Sequence, residues 1–196
     1  MIIVVGGHSR NIGKTTVAAS IIAATREAGW TAVKVTQHGH GVCTHACSCA
    51  EHEDPVAIDQ EGTPNGTDSG RFLAAGAERA FWVRTAQGEL AQAMPRVREL
   101  IATSRNVLFE SNSLMQFVKP DLYLVVVDFS VEDVKDSARL FIDRADAFVK
   151  TGGEMARWEG VSRRWFEAKP VVTPDSDDLF ALVRERLVKG AAQSSR

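Results

Sequence analysis

The stretch VVGGHSRNIGKTTVAA, residues 4–19, constrains the fold of this chain more than any other part of the sequence. It opens as a short apolar strand, passes through a glycine-rich turn and ends in Gly-Lys-Thr-Thr at the start of a helical pattern. The usual phosphate-binding loop has the form G-x-x-x-x-G-K-[ST], which would place its first glycine at position 8. That position is His8, and the spacing from Gly7 to Gly13 is one residue longer than usual. The stretch nevertheless predicts a strand, a phosphate-binding loop and a helix, in that order.

The residues of this loop have the properties that phosphate binding requires. Backbone N–H groups at the start of a helix attract an anion, and a glycine keeps side-chain atoms away from it. A lysine supplies a cation for the terminal phosphates, and the threonine after it supplies a hydroxyl for magnesium. We therefore predict that a nucleotide is bound by Gly7, Asn11, Gly13, Lys14, Thr15 and Thr16.

The rest of the chain alternates between strand and helix patterns. This alternation predicts an α/β fold, in which a mostly parallel sheet has helices on both faces, as in the three-layer P-loop NTPases. We expect one domain over residues 1–196, with a long Cys/His-rich loop at about 37–67. Strands are predicted over residues 2–5, 31–36, 80–84, 107–110, 122–128, 147–150 and 171–172, with 122–128 near the centre of the sheet. Helices are predicted over residues 15–28, 68–77, 89–103, 134–142, 155–167 and 177–187, with a kink or break at Pro95 and a frayed tail from Gly190.

Composition narrows the classes of partner. The net charge of −2 and the lack of a long basic run disfavour nucleic acid. The longest apolar runs are much shorter than the roughly 18 residues of a membrane span, and the apolar N-terminus lacks a basic flank and a cleavage site. We therefore expect a cytoplasmic protein that is not bound to a membrane. Three cysteines, an odd number, argue against a disulfide framework.

Two carboxylates are candidates for the neighbourhood of the phosphates. Glu110 ends a buried strand, where an acid in a P-loop fold lies near magnesium. We predict that Glu110 and Thr15 bind magnesium and that Lys14 and Glu110 are catalytic. Asp68 is either a further magnesium ligand or the N-cap of its helix, a role that Ser69 could also fill. Lys34 lies in an apolar strand and either reaches a phosphate or extends to solvent.

A cluster of soft metal ligands lies in residues 38–52, which contain all three cysteines and four of the five histidines. Zinc prefers four nitrogen or sulfur ligands in a tetrahedron, and a loop of this composition can supply them. The spacing Cys43-x3-Cys47-x-Cys49 is neither that of a zinc finger nor that of a ferredoxin. We predict about one zinc ion, bound by Cys43, Cys47 and Cys49 with His45 or His52; the alternative is a polar loop whose thiols bind nothing.

Two known families share parts of this pattern. Dethiobiotin synthetases resemble the chain in their G-x5-G-K-T loop. The run VKVTQHGHG at 33–41, followed by DSGRFLAAGA at 68–77, resembles the molybdopterin-guanine dinucleotide biosynthesis MobB family. This second resemblance covers the first half of the chain and the strand that ends at Glu110. It implies a small GTP-binding adaptor in molybdenum cofactor maturation, with His38, His40 and Asp68 facing a substrate or partner. The three cysteines depart from the MobB pattern.

Three functions are consistent with these features. The first is a MobB-like adaptor that binds GTP and magnesium, hydrolyses the nucleotide slowly or not at all, and works with a partner protein or as a homodimer. The second is a nucleotide-dependent metallochaperone or metal sensor that uses the cysteine cluster. The third is an ATP-dependent ligase that resembles dethiobiotin synthetase. The usual guanine signature Asn-Lys-x-Asp is absent from the sequence. GTP is therefore favoured by the resemblance alone, and ATP stays open.

Overall fold

A computed structural model describes residues 1–38, 55–154, 158–162 and 164–194. Eight strands form one sheet in the order β3-β4-β2-β5-β1-β6-β7-β8. The strands are β1 (Ile2–Gly7), β2 (Trp30–His38), β3 (Val56–Gln60), β4 (Arg79–Ala86), β5 (Asn106–Glu110), β6 (Leu122–Asp128), β7 (Ala147–Gly152) and β8 (Val171–Val172). Strands β5 and β1 occupy the middle of the sheet, and β6, which was predicted to be central, lies beside β1.

Every neighbouring pair is parallel except β3 and β4, which are antiparallel. Strand β3 was not predicted, because residues 37–67 were expected to be a loop without regular structure. Its side chains alternate in the way that an edge strand requires, with Val56 and Ile58 packed against the core and Asp59 exposed. A five-residue run between turn-rich segments gives too little sequence for this alternation to stand out.

Helices cover both faces of the sheet, which confirms the predicted α/β fold. They are α1 (Lys14–Ala24), α2 (Asp68–Ala75), α3 (Leu90–Ala102), α4 (Asp136–Arg139), α5 (Arg164–Glu167) and α6 (Asp177–Ser194). Helices α1, α2 and α6 bury Ile21, Phe72 and Leu179 in one apolar cluster. Helix α3 buries Met94 and Val97 in a second cluster on the opposite face. These two clusters sandwich the sheet and make three layers.

Several predicted helix bounds were wrong. The buried residues Val134, Ala138 and Phe141 recur with helical spacing, which is why one helix was predicted over 134–142. The backbone at Phe141 (φ −131°) is not helical, so this region contains the short helix α4 and a separate 3₁₀ turn. Of the described residues within the predicted helix over 155–167, residues 158–162 are not helical and Arg164–Glu167 form α5.

The other helix bounds differ less. Helix α1 ends at Ala24, four residues earlier than predicted. Helix α3 runs through Pro95 without a break. Helix α6 continues past Gly190, where fraying was predicted.

The parallel strands align their carboxyl ends at one edge of the sheet. Gly7, Glu110, Asp128 and Gly152 end their strands there. Ligands of open α/β sheets bind at this edge. Within the described part of the chain, no helix is long and apolar enough to cross a membrane.

Candidate functional site

The predicted phosphate loop connects β1 to α1 and is clamped at its start by Asn112. The side-chain amide of Asn112 donates to Gly7 O and its oxygen accepts from Gly7 N, both at 2.8 Å. A Cβ atom on Gly7 would lie 2.8 Å from Cδ of Lys14, which is closer than such atoms approach. A side chain at position 7 would therefore displace the lysine side chain, which folds back over the loop.

The loop turns into α1 through two residues with left-handed backbones, Asn11 (φ 55°) and Gly13 (φ 92°). Gly13 is the N-cap residue, and no side chain of a described residue caps the helix. Because the first intrahelical bond is Val17 N to Gly13 O, the N–H groups of residues 14–16 lack helical acceptors. On the other side of the loop, the Thr151 hydroxyl donates to Ile12 O at 3.1 Å. The N–H groups at the start of α1 are thus available to a ligand, and β7 holds the loop in place from one side.

Lys14 extends along the loop, and its Nζ donates to Ser9 O at 2.7 Å. Burial and the nearby positive charge of Lys135 lower the pKa of Lys14 to about 8, while Glu110 acts in the opposite direction. Within the described residues, Lys14 forms no ion pair at 4 Å or less. The loop therefore contains a partly desolvated cation that has no anionic partner in the described part of the chain, a condition that an incoming phosphate would relieve.

Thr15 and Glu110 meet at the adjacent strand end. The Thr15 hydroxyl donates to Oε2 of Glu110 at 2.7 Å, and Glu110 is 6% exposed. Lys34 Nζ lies 3.6 Å from Oε1 of Glu110 and pairs with Asp68. Hydroxyl and carboxylate oxygens are the ligand types that magnesium prefers. The Thr15–Glu110 pair thus has ligand atoms that suit a magnesium ion. The ammonium group of Lys34 balances the negative charges of Glu110 and Asp68.

Helix α2 contributes Asp68, but Asp68 does not cap it. The N-cap is Thr67, whose hydroxyl accepts from Gly70 N at 3.0 Å, so neither Asp68 nor Ser69 fills that role. One turn further on, Arg71 Nη2 donates to the Thr16 hydroxyl at 3.1 Å. Both threonines of the Gly-Lys-Thr-Thr segment are therefore contacted by side chains from other elements.

Sequence reasoning gave no role to His8, which takes the place of the usual glycine. Its ring is fully buried and stacks on Trp158 with centroids 4.2 Å apart. Nε2 of His8 lies 3.2 Å from Val131 O, the atom to which Trp158 Nε1 also donates. Burial lowers the pKa of His8. The sequence could indicate this role only through the histidine at the position of the usual glycine, because its stacking partner Trp158 lies 150 residues away.

The predicted zinc ligands Cys43, His45, Cys47, Cys49 and His52, with His40, lie outside the described residues. His38 is described at the end of β2, where its Nε2 lies 3.1 Å from the Thr36 hydroxyl. In the part of the chain that the structure describes, no group of three or more His, Cys, Asp or Glu residues is placed to bind a metal ion.

Comparison with known proteins supports the fold. No protein-family model and no curated protein matches the sequence. Among solved structures, HypB from Helicobacter pylori in complex with nickel is similar, with a TM-score of 0.51 and 12% sequence identity. The match covers 98% of this chain and 87% of HypB. At this identity the likeness establishes architecture only: the chain has the three-layer fold of the P-loop NTPases.

Proposed function

We propose that the chain binds a nucleoside triphosphate with magnesium at the open start of α1. The observation that carries this proposal concerns the described residues: no side chain caps the first turn of α1 behind Gly13, and the Lys14 ammonium beside it forms no ion pair. A helix start with free N–H groups attracts an anion, and the triphosphate would supply the negative charge that Lys14 lacks. Gly7, Asn11, Gly13, Lys14, Thr15 and Thr16 form the proposed contact surface.

Magnesium would be bound by the Thr15 hydroxyl and by Glu110, with Asp68 nearby. When bound, the ion neutralises charge on the terminal phosphates. Glu110 reaches this position because β5 ends there, next to β1 in the sheet. Lys34 compensates Glu110 and Asp68 when no other cation is near them. Slow hydrolysis is part of this proposal, with Lys14 and Glu110 as its catalytic residues.

GTP is the preferred nucleotide in this proposal, and its support is the resemblance to the MobB family. The described residues give no preference between guanine and adenine. The MobB-like role, with a cofactor-biosynthesis partner or a homodimer, and the single-domain organisation remain predictions, as does a ligase activity with ATP.

The test of the phosphate site is calorimetric titration of the protein with GTP and ATP, with and without magnesium. We expect one site per chain in the parent, a large loss of affinity in Lys14→Ala, and parent affinity in Lys189→Ala. The second variant removes an exposed positive charge on α6 and controls for net charge. Parent-like affinity of Lys14→Ala for both nucleotides would reject the site.

The role of Thr15 has its own test. Thr15→Val keeps the shape of the side chain and removes the hydroxyl, while Thr15→Ser keeps the hydroxyl. We expect Thr15→Val to lose most of the affinity that magnesium adds and to bind normally without magnesium. Thr15→Ser should respond to magnesium as the parent does. Equal magnesium dependence in all three proteins would remove Thr15 from the metal site.

A second candidate function is nucleotide-dependent handling of a metal ion. Two observations favour it: the three cysteines and four histidines within residues 38–52, and the similarity of fold to a protein solved in complex with nickel. We propose Cys43, Cys47 and Cys49 with His45 or His52 as ligands of zinc or nickel. Elemental analysis of reduced, tag-free protein should find about one metal ion per chain, and a variant with all three cysteines changed to serine should contain none. Equal metal content in both proteins would exclude the cysteines.

A further inference from the structure

Helix α2 places a guanidinium group at the edge of the proposed phosphate site. Arg71 Nη2 donates to the hydroxyl of Thr16, the third residue of α1. The N–H group of Thr16 is one of the three at the start of α1 that lack helical acceptors. Arg71 is therefore next to the same turn of helix that would receive the phosphates.

Among the described residues, most of the hydrogen-bonding capacity of Arg71 is unused. A guanidinium has five N–H donors, and the bond to Thr16 uses one of them. Arg71 Nη1 lies 3.9 Å from Asp68 Oδ1, beyond hydrogen-bonding distance, and Asp68 is already paired with Lys34. The side chain of Arg71 is 45% exposed. Among the described residues, Arg71 thus has one long ion pair, to a carboxylate that it shares with Lys34, and its position is not a buried one that packing would explain.

We propose that Arg71 is a phosphate-binding residue, which α2 delivers to the phosphate tail of the bound nucleotide beside Thr16. The proposal rests on the proposed nucleotide site and adds a ligand from a different element. Arginine binds phosphate oxygens through two parallel N–H donors, which a bond to one hydroxyl does not use. The Thr16 hydroxyl orients the guanidinium before the anion arrives.

The competing explanation is that Arg71 only ties α2 to α1. Two substitutions separate these roles. Arg71→Gln keeps an amide donor on a shorter side chain and removes the charge, whereas Arg71→Lys keeps the charge and a donor and loses the planar guanidinium. A phosphate ligand needs the charge, and a structural tie needs only the donor.

Arg26 provides the matched control. Its Nε donates to Ala75 O at 2.8 Å, so it also ties the α1 region to α2, but at the end of α2 remote from the phosphate loop. Arg26→Ala should loosen the same pair of helices without removing a phosphate contact.

The experiment is calorimetric titration of GTP and ATP into the parent and the three variants, with magnesium present. We expect Arg71→Gln to weaken binding of the preferred nucleotide by about tenfold or more, the size of a hydrogen bond to a charged group. Arg71→Lys should retain more affinity than Arg71→Gln, and Arg26→Ala should bind as the parent does.

The outcomes distinguish the two proposals. If the parent binds but Arg71→Gln matches it, or if Arg26→Ala loses as much affinity as Arg71→Gln, the role of Arg71 is refuted and the nucleotide site stands. If the parent binds neither nucleotide, both proposals fail.

Discussion

Replacing Lys14 with methionine should have opposite effects on binding and on stability. Methionine keeps the length and the apolar stem of lysine and removes the ammonium. Burial and the charge of Lys135 lower the pKa of Lys14 from 10.5 to about 8 in the free protein. At about 1.4 kcal/mol per pH unit, this corresponds to about 3 kcal/mol against the charged form. Loss of the bond to Ser9 O would offset about 1–2 kcal/mol of that.

We therefore expect Lys14→Met to raise the free energy of unfolding by about 1–2 kcal/mol at pH 7. The sign of the pH dependence follows from the lowered pKa. Between pH 8 and 10.5 the unfolded parent holds more protons at Lys14 than the folded parent, so the parent gains stability as pH rises through this window. The difference in free energy of unfolding between Lys14→Met and the parent should therefore become smaller as the pH rises from 8 to 10.5. Nucleotide affinity should fall by about tenfold to a hundredfold, because a charge-assisted bond to phosphate is lost.

The assay is urea unfolding, followed by tryptophan fluorescence, at pH 7 and at pH 9.5. Nucleotide is absent, and a chelator removes divalent ions. Titration with GTP and ATP in magnesium gives the affinities. A variant that is less stable than the parent at pH 7, or that keeps the same advantage at both pH values, would refute the reasoning on Lys14.

Three further predictions concern the support of the loop. His8→Phe keeps the ring stack on Trp158, and its stability should fall less steeply than that of the parent from pH 7 to pH 5. The lowered pKa of His8 means that the unfolded parent binds the additional proton in that window; equal slopes in urea unfolding would contradict this. Asn112→Ala should cost about 2–3 kcal/mol in thermal or urea unfolding, because Gly7 loses two buried hydrogen bonds; a cost below about 0.5 kcal/mol would contradict it. Lys34→Met removes the cation that lies between Glu110 and Asp68, so magnesium alone should raise its melting temperature more than that of the parent; an equal rise in both would exclude these carboxylates as the metal site.

Local patterns in the sequence predicted the elements that surround the site. Gly-Lys-Thr-Thr placed the start of α1, and the apolar run before Glu110 placed that carboxylate at the end of β5. Both predictions depend on residues that are neighbours along the chain. The alternation of strands and helices likewise predicted the three-layer architecture, because a parallel sheet needs crossover helices.

Contacts between distant residues could not be predicted from one sequence. The Asn112 amide contacts Gly7 across 105 positions, and no local pattern marks it as the clamp of the loop. In the sequence, Lys34 is an isolated charge in an apolar strand. Its two carboxylate partners, Asp68 and Glu110, belong to α2 and β5, which are distant along the chain. The stack of His8 on Trp158 depends in the same way on where the segment after β7 packs.

The most direct test of the nucleotide site is a crystal structure of the protein with magnesium and a non-hydrolysable GTP analogue. We predict density for the phosphates at the N–H groups of residues 13–16, with Lys14 in contact with the terminal phosphates and the Thr15 hydroxyl in contact with the magnesium ion. A nucleotide bound at another place on the molecule, with the loop between Gly7 and Gly13 unchanged and empty, would contradict the proposed function.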